Sequence, residues 1–330
     1  MDSILPSEVA HVHLKNLTQP SGLHILMYHR VLDAWDPLRP EDPTTADFGR
    51  QMAVLKRWFN PLDLVEASER MAAGRLPPRA VVVTFDDGYR DNLSNAAPIL
   101  KALGIPATVF VASGFSHGEN MWNDRLIDAI KFGQPCPIDL SDFDLGVVPC
   151  PNPEAGFAGL RPLLNTLKRL PPETRAVAVS ACAAQLKAPP SAPLMMHPEE
   201  IRALQETGVR IGAHTISHPI LKVVDDATAE QEIKGSKQTL ETVTGRPVEV
   251  FAYPNGRPEV DYGPRDAALV ADAGFLCAVS TRAALASAND SPYELPRYGL
   301  WSHRPARFGL QLTRRFLTEG EVMPPRANAA

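Results

Sequence analysis

The chain has 330 residues, 44% of them hydrophobic, and 38 acidic against 33 basic side chains leave a formal net charge of −5. That balance argues against a nucleic-acid partner, which calls for a basic face, and the length suits one domain with insertions. Cys136, Cys150, Cys182 and Cys277 are scattered without Cys-x-x-Cys spacing, which excludes a thiolate zinc or redox motif.

Residues 1–22 show no periodicity and read as a lead-in, with a solvated tail preferred for His11 and His13. The first eight residues lack the basic start and apolar core of a signal peptide, and no apolar run is long enough to span a bilayer. The expected location is therefore the cytoplasm. Residues 23–330 form a single expected domain. Residues 24–31 predict a first strand ending near Tyr28-His29, and Phe48, Met52, Leu55 and Phe59 mark a helix capped at Thr44 or Thr45. A second helix covers residues 64–73 and is closed by Gly74.

The run Ala80-Val81-Val82-Val83-Thr84-Phe85 predicts a buried parallel strand that ends at Asp86-Asp87, with Gly88 turning the chain sharply afterwards. A helix over 92–103 stopped by Gly104 and a strand over 107–112 continue a strand–helix–strand rhythm, which implies right-handed parallel crossovers. The rhythm breaks between about 113 and 192, an expected rim insertion. It comprises a helix opening at Met121-Trp122, a loop-rich excursion over 134–153, and a helix over 173–186.

Alternation then returns: helix 198–207, strand 209–213, helix 226–244 started by Asp225-Asp226, strand 248–253, helix 264–273 and strand 275–280. An extended piece over 294–301 precedes a basic helix over 306–317. About seven strand–helix repeats predict an α/β fold, a distorted or incomplete (β/α) barrel with a rim insertion. Arg304, Arg307, Arg314 and Arg315 invite a weak membrane-surface contact, against which a peripheral helix with a solvated basic face is preferred.

Chemistry is expected at strand carboxyl ends. Two adjacent carboxylates repel each other, and a bound cation would resolve the conflict by taking one as ligand and leaving the other for proton transfer. Alone, the Asp86-Asp87 pair supports no more than a helix-capping strand end. His214-Thr215-Ile216-Ser217-His218 places two imidazoles four apart behind another strand, although nine histidines in 330 residues yield about a quarter of one such pair by chance. Two imidazoles and one carboxylate make a metal site with an open position. Arg297 either pairs with Asp86 or lies on the surface, and Trp122 either stacks on a bound ligand or packs beneath its loop.

Thr84-Phe85-Asp86-Asp87-Gly88-Tyr89 as a whole resembles the first motif of the polysaccharide deacetylases, carbohydrate esterase family 4. The resemblance implies that Asp86 is the catalytic base and that Asp87, His214 and His218 hold one divalent metal, with zinc expected and cobalt or nickel as alternatives. Phe251-Ala252-Tyr253-Pro254-Asn255-Gly256 is similar to the third motif without its Arg-x-Pro form. It implies an oxyanion donor at the Tyr253 N–H, with Asn255 in the same substrate set. The general acid departs from the commoner layout. Tyr28-His29 resembles the circularly shifted branch that includes poly-N-acetylglucosamine deacetylases, so His29 is assigned and His303 is its alternative.

The implied reaction is metal-dependent N-deacetylation of an N-acetylated poly- or oligosaccharide, or of its lipid- or nucleotide-linked precursor, in exopolysaccharide or cell-envelope glycan synthesis. Two rival classes are a hydrolase of small amides and a catalytically inactive carbohydrate-binding homologue.

Overall fold

The computed structural model describes residues 22–299 and 304–319. β-Branched and aromatic runs make the central strands: β1 (His24–Tyr28), β3 (Ala80–Phe85), β4 (Ala107–Val111), β7 (Arg210–Ala213), β8 (Val250–Ala252) and β9 (Cys277–Val279). They pair in parallel in the order β1-β3-β4-β7-β8-β9, and the two-residue β2 (Asn60–Pro61) adds to the start of β3. The sheet curls into a distorted (β/α) half-barrel.

Side-chain alternation along the strands feeds two apolar clusters. Val81, Val83, Phe85, Val109 and Ile211 pack under the outer helices α1 (Thr45–Trp58), α3 (Ala97–Leu103), α7 (Pro198–Glu206) and α8 (Asp226–Thr244). Their neighbours Ile25, Val82, Phe110, Val250 and Val279 meet on the other side, where Leu64, Ala67 and Met71 of α2 (Leu64–Ala72) join them. Caps fall where side-chain oxygens were available: Thr44 accepts from Asp47 N, Asp63 from Val65 N, and Asp225 from Thr228 N.

Four expectations need correction. The helix over 92–103 begins as a wide π turn, Asn92–Ala96, because Pro98 lacks the N–H that an α-helix would bond to Ser94. The excursion over 134–153 contains a short hairpin of β5 (Ile138–Asp139) and β6 (Val147–Val148). A whole helix, α5 (Phe157–Leu167), was missed because Gly156, Gly159 and Pro162 disguise the Leu160, Leu163, Leu167 spacing. The extended piece near residue 295 is not a regular strand. Leu295 bridges to Val279 and Tyr298 to Leu26, closing the gap between β9 and β1, and Pro296 cannot donate to a continuous ladder.

The insertion packs its own apolar cluster: Leu126, Ile127 and Ile130 of α4 (Trp122–Phe132), the three leucines of α5, and Ala178, Val179 and Cys182 of α6 (Pro172–Gln185). After α9 (Pro264–Asp272), the terminal helix α10 (Pro305–Glu319) buries Phe308, Leu312 and Phe316 in the outer cluster. Its Arg304, Arg307 and Arg314 are exposed, whereas Arg315 lies over the Tyr298 ring. Among the described residues no helix is long and apolar enough to cross a membrane.

Candidate active site

The strand ends bring distant residues to one rim. Parallel register sets Tyr28 beside Phe85, and the Asp86 N–H donates to the Tyr28 carbonyl at 3.0 Å, so His29 and Asp86 leave the sheet side by side. Ala112 N–H donates to the Asp87 carbonyl at 3.2 Å, and Gly88 turns the chain at φ 91° where a Cβ would lie 3.0 Å from Val111. From β7, the histidine loop is tied down on two sides. Ser113 and Gly114 N–H groups donate to the Thr215 and Ile216 carbonyls, and the Glu232 carboxylate of α8 accepts from Ile216 N, Ser217 N and Ser217 Oγ at 2.6–2.8 Å.

Asp87 Oδ1 stands 3.5 Å from Nε2 of both His214 and His218, and one ligand atom from each residue falls within 4.8 Å of the others. Ligands ~2.1 Å from a tetrahedral ion lie about 3.4 Å apart, so the donor set fits a divalent metal. The Nδ1–H of His214 donates to the Ala252 carbonyl at 2.7 Å, which leaves the Nε2 lone pair facing Asp87. Asp87 Oδ1 is buried with no hydrogen-bond partner among the described residues, a costly state for a carboxylate that a cation would relieve.

The electrostatics agree. Burial, then the neighbouring Asp86 charge, pushes the Asp87 carboxyl well above its ordinary range. Burial lowers His214 to about 4 and takes His218 well down, with His214, Lys168 and Arg175 adding to the latter. Both imidazoles are therefore neutral donors.

Asp86 has the opposite fate. Burial acts to raise its pKa, but the Arg297 guanidinium outweighs it and holds the carboxyl at about 2. Arg297 is fully buried and grips Asp86 through two bonds of 2.6 Å, with further bonds to Thr84 Oγ1 and the Ser280 carbonyl. The surface alternative for this arginine is excluded. His29 borders the same cavity, its proton affinity lowered by burial and partly restored by Asp86.

A cavity of about 390 Å³ opens over these groups, and Asn255 and Trp122 line it too. Tyr253 does not. Its N–H donates to the Val279 carbonyl at 3.3 Å, its ring stacks on Tyr262 at 3.8 Å and its hydroxyl bonds the Tyr293 carbonyl. The sheet pairing extends one residue beyond β8 and occupies the amide that the sequence had assigned to the oxyanion. His303 lies outside the described residues.

Four non-glycine residues of this rim adopt left-handed φ: Asp87 at 76°, Thr215 at 63°, His218 at 56° and Asn255 at 60°. Such backbone strain collects where a side chain must be aimed. Sequence reasoning missed Glu232, Lys168 and Arg175. Glu232 sits inside an ordinary amphipathic helix 14 residues beyond His218, and no motif announces it.

The polysaccharide deacetylase sequence family matches residues 73–135 and 173–275, half of the chain, including Asp86, Asp87 and both histidines. The chain belongs to the polysaccharide deacetylase family. The poly-beta-1,6-N-acetyl-D-glucosamine N-deacetylase of Escherichia coli K12 is 32% identical over 116 residues, 34% of this chain and 16% of that enzyme. YxkH of Bacillus subtilis is 30% identical over 118 residues, 35% of this chain and 41% of that protein. The matched stretch thus spans less than half the length of either relative. The fold is shared with the Streptococcus pyogenes deacetylase PplD (TM-score 0.58, 18% identity, 89% of this chain and 98% of that one). It is shared also with IcaB from Ammonifex degensii (TM-score 0.57, 20% identity, 91% and 99%).

Proposed function

We propose that this polysaccharide deacetylase family member hydrolyses the acetamido group of an N-acetylated sugar, releasing acetate and a free amine, with one divalent ion held by Asp87, His214 and His218. The observation that carries the reading is the convergence of that triad with an ionised Asp86 and with His29 in one cavity. The bound ion would supply Lewis acidity and bring the pKa of a water from about 15.7 to about 7.

The chain's own groups do the rest. Asp86, kept ionised and oriented by Arg297, takes a proton from the attacking water. Asn255, held in a left-handed turn at the cavity wall, is the side-chain donor available to the acetyl oxygen. His29 delivers a proton to the departing nitrogen, on the side of Asp86 fixed by the β1–β3 register. Glycans of poly-N-acetylglucosamine type and their lipid- or nucleotide-linked precursors are the proposed substrates, and exopolysaccharide or cell-envelope synthesis the proposed setting.

The test is acetate release from N-acetylated glycans by protein loaded with zinc, cobalt or nickel. Activity is expected to vanish with a chelator and return with metal; release from none of these glycans under any loading refutes the reading.

A further inference from the structure

The insertion builds one wall of the cavity, and two cations on that wall are unused by the chemistry above. Arg175, near the start of α6, is 7% exposed. Its guanidinium lies 4.9 Å from the centroid of the Trp122 ring, and its one hydrogen bond among the described residues is a 3.4 Å contact to the Lys168 carbonyl. A guanidinium has five N–H donors, and one long bond and no carboxylate leave most of them facing the cavity, where an anion could take them. Lys168, the C-cap of α5, is half-buried, lines the same cavity and makes no ion pair among the described residues.

The cavity is polarised. Glu41 and Asp42, from the connection between β1 and α1, line it as well. Arg30 and Arg39 stand on that side too but are already paired with Asp91 and Asp124 at 2.8 Å, so a negative group would be turned away from the two acids and drawn to Lys168 and Arg175, which have no carboxylate partner among the described residues. The family match stops at residue 135 and resumes at 173, so Lys168 and the whole of α5 lie in a stretch outside that match. Such excursions on a shared scaffold are where selectivity is built.

We infer that the N-acetylated sugar accepted here carries an anionic substituent near its acetamido group, a phosphate ester or a carboxylate, held by Lys168 and Arg175. The inference rests on the deacetylase reading. Either oxyanion suits the planar fork of an arginine with a lysine as second charge.

Acetate release by the full, metal-loaded chain is compared among neutral N-acetylglucosamine oligomers, N-acetylglucosamine 1-phosphate and an oligosaccharide alternating N-acetylglucosamine with a uronic acid. At low salt one of the anionic substrates is expected to exceed the neutral oligomers roughly 10-fold or more in kcat/KM, the scale of one charge-assisted hydrogen bond, and the preferred one identifies the source of the charge. Lys168→Gln and Arg175→Gln should each cut that preference roughly 10-fold through KM, with kcat little altered. Lys168→Gln, at a half-buried helix end, guards against an Arg175 variant that loosens the insertion, and thermal unfolding checks both. Equal use of neutral and anionic sugars, or a preference untouched by both variants, overturns this inference and leaves the deacetylase reading standing. If no substrate releases acetate, that reading falls instead. Calorimetric binding of N-acetylglucosamine 1-phosphate then decides: weaker binding by Lys168→Gln than by wild type supports the anion site, and equal or absent binding overturns it.

Discussion

The strand-end rim and the insertion border one cavity on opposite terms. On the rim, most proposed reacting groups stand one or two residues beyond a parallel strand: His29 after β1, Asp86 and Asp87 after β3, His214 after β7, with Asn255 three beyond β8 and His218 five beyond β7. Sheet hydrogen bonds therefore fix the spacing of these groups. The insertion has a separate apolar cluster and reaches the barrel through few polar joints, chiefly the buried Asp124, which accepts from Arg39 at 2.8 Å and from the Tyr89 hydroxyl at 2.7 Å. Its Trp122, Lys168 and Arg175 enter the cavity from helix ends. The contrast divides the proposed roles, chemistry to the rigid layer and choice of substrate to a module packed on its own, so substitutions in the two regions should part into effects on metal and kcat and effects on KM.

The hardest blow to that division falls on the metal ligands. His214→Ala or Asp87→Asn should lower zinc affinity by more than the roughly 10–100-fold typical of residues that only support a ligand, with Glu232→Gln falling inside that range. Zinc titration reads both. Full zinc occupancy in a His214→Ala, His218→Ala double variant would remove the rim from the mechanism.

His29→Ala comes next, with an expected ~10²–10⁴-fold fall in kcat at normal zinc content. Should His303→Ala show that fall and His29→Ala none, the acid belongs to the other histidine and the β1 end is structural.

Arg297→Met tests whether the rim is also a stability element. It leaves the Asp86 carboxylate buried and unpaired, which typically costs about 3–5 kcal/mol. In the wild type, Asp86 titrates at about 2, against about 3.9 in an unfolded chain. Its pairing therefore stabilises the metal-free fold fully above pH ~4, and that contribution is lost as pH falls through about 2. In the variant, burial pushes Asp86 up instead. Its deficit in urea unfolding should be largest at neutral pH and shrink on acidification; a deficit independent of pH breaks the assignment.

The smallest effect belongs to the insertion. Trp122→Ala should raise KM about 2–12-fold, matching ~0.5–1.5 kcal/mol for an aromatic contact, with zinc content intact. A loss of kcat instead would mean that the insertion shapes the chemistry as well.

Much of the rim was legible because it is written in short local patterns. The valine run that stops at Asp86-Asp87 and the His214–His218 spacing mark both a strand and what lies at its end, and parallel topology does the remaining work of bringing them together. Arg297 was visible only as a candidate, since the partner that buries it lies 211 positions away. The insertion was harder to read. A proline and two glycines hide α5, and Lys168 and Arg175 look in sequence like any solvated helix charges until the fold turns them toward a cavity. Tyr253 was misplaced for the converse reason, because a motif names a residue without saying how far the sheet ladder runs past it.

The left-handed turns at Asp87, Thr215, His218 and Asn255 carry a consequence for how such a protein would lose its trade. Each is a conformation that glycine adopts at no steric cost; aspartate, histidine and asparagine enter it less readily, and the β-branched Thr215 is held furthest against its preference. Replacing His218 by glycine is therefore expected to relieve backbone strain while removing a proposed metal ligand. In a descendant released from the proposed hydrolysis, these positions are where drift toward glycine would meet least resistance.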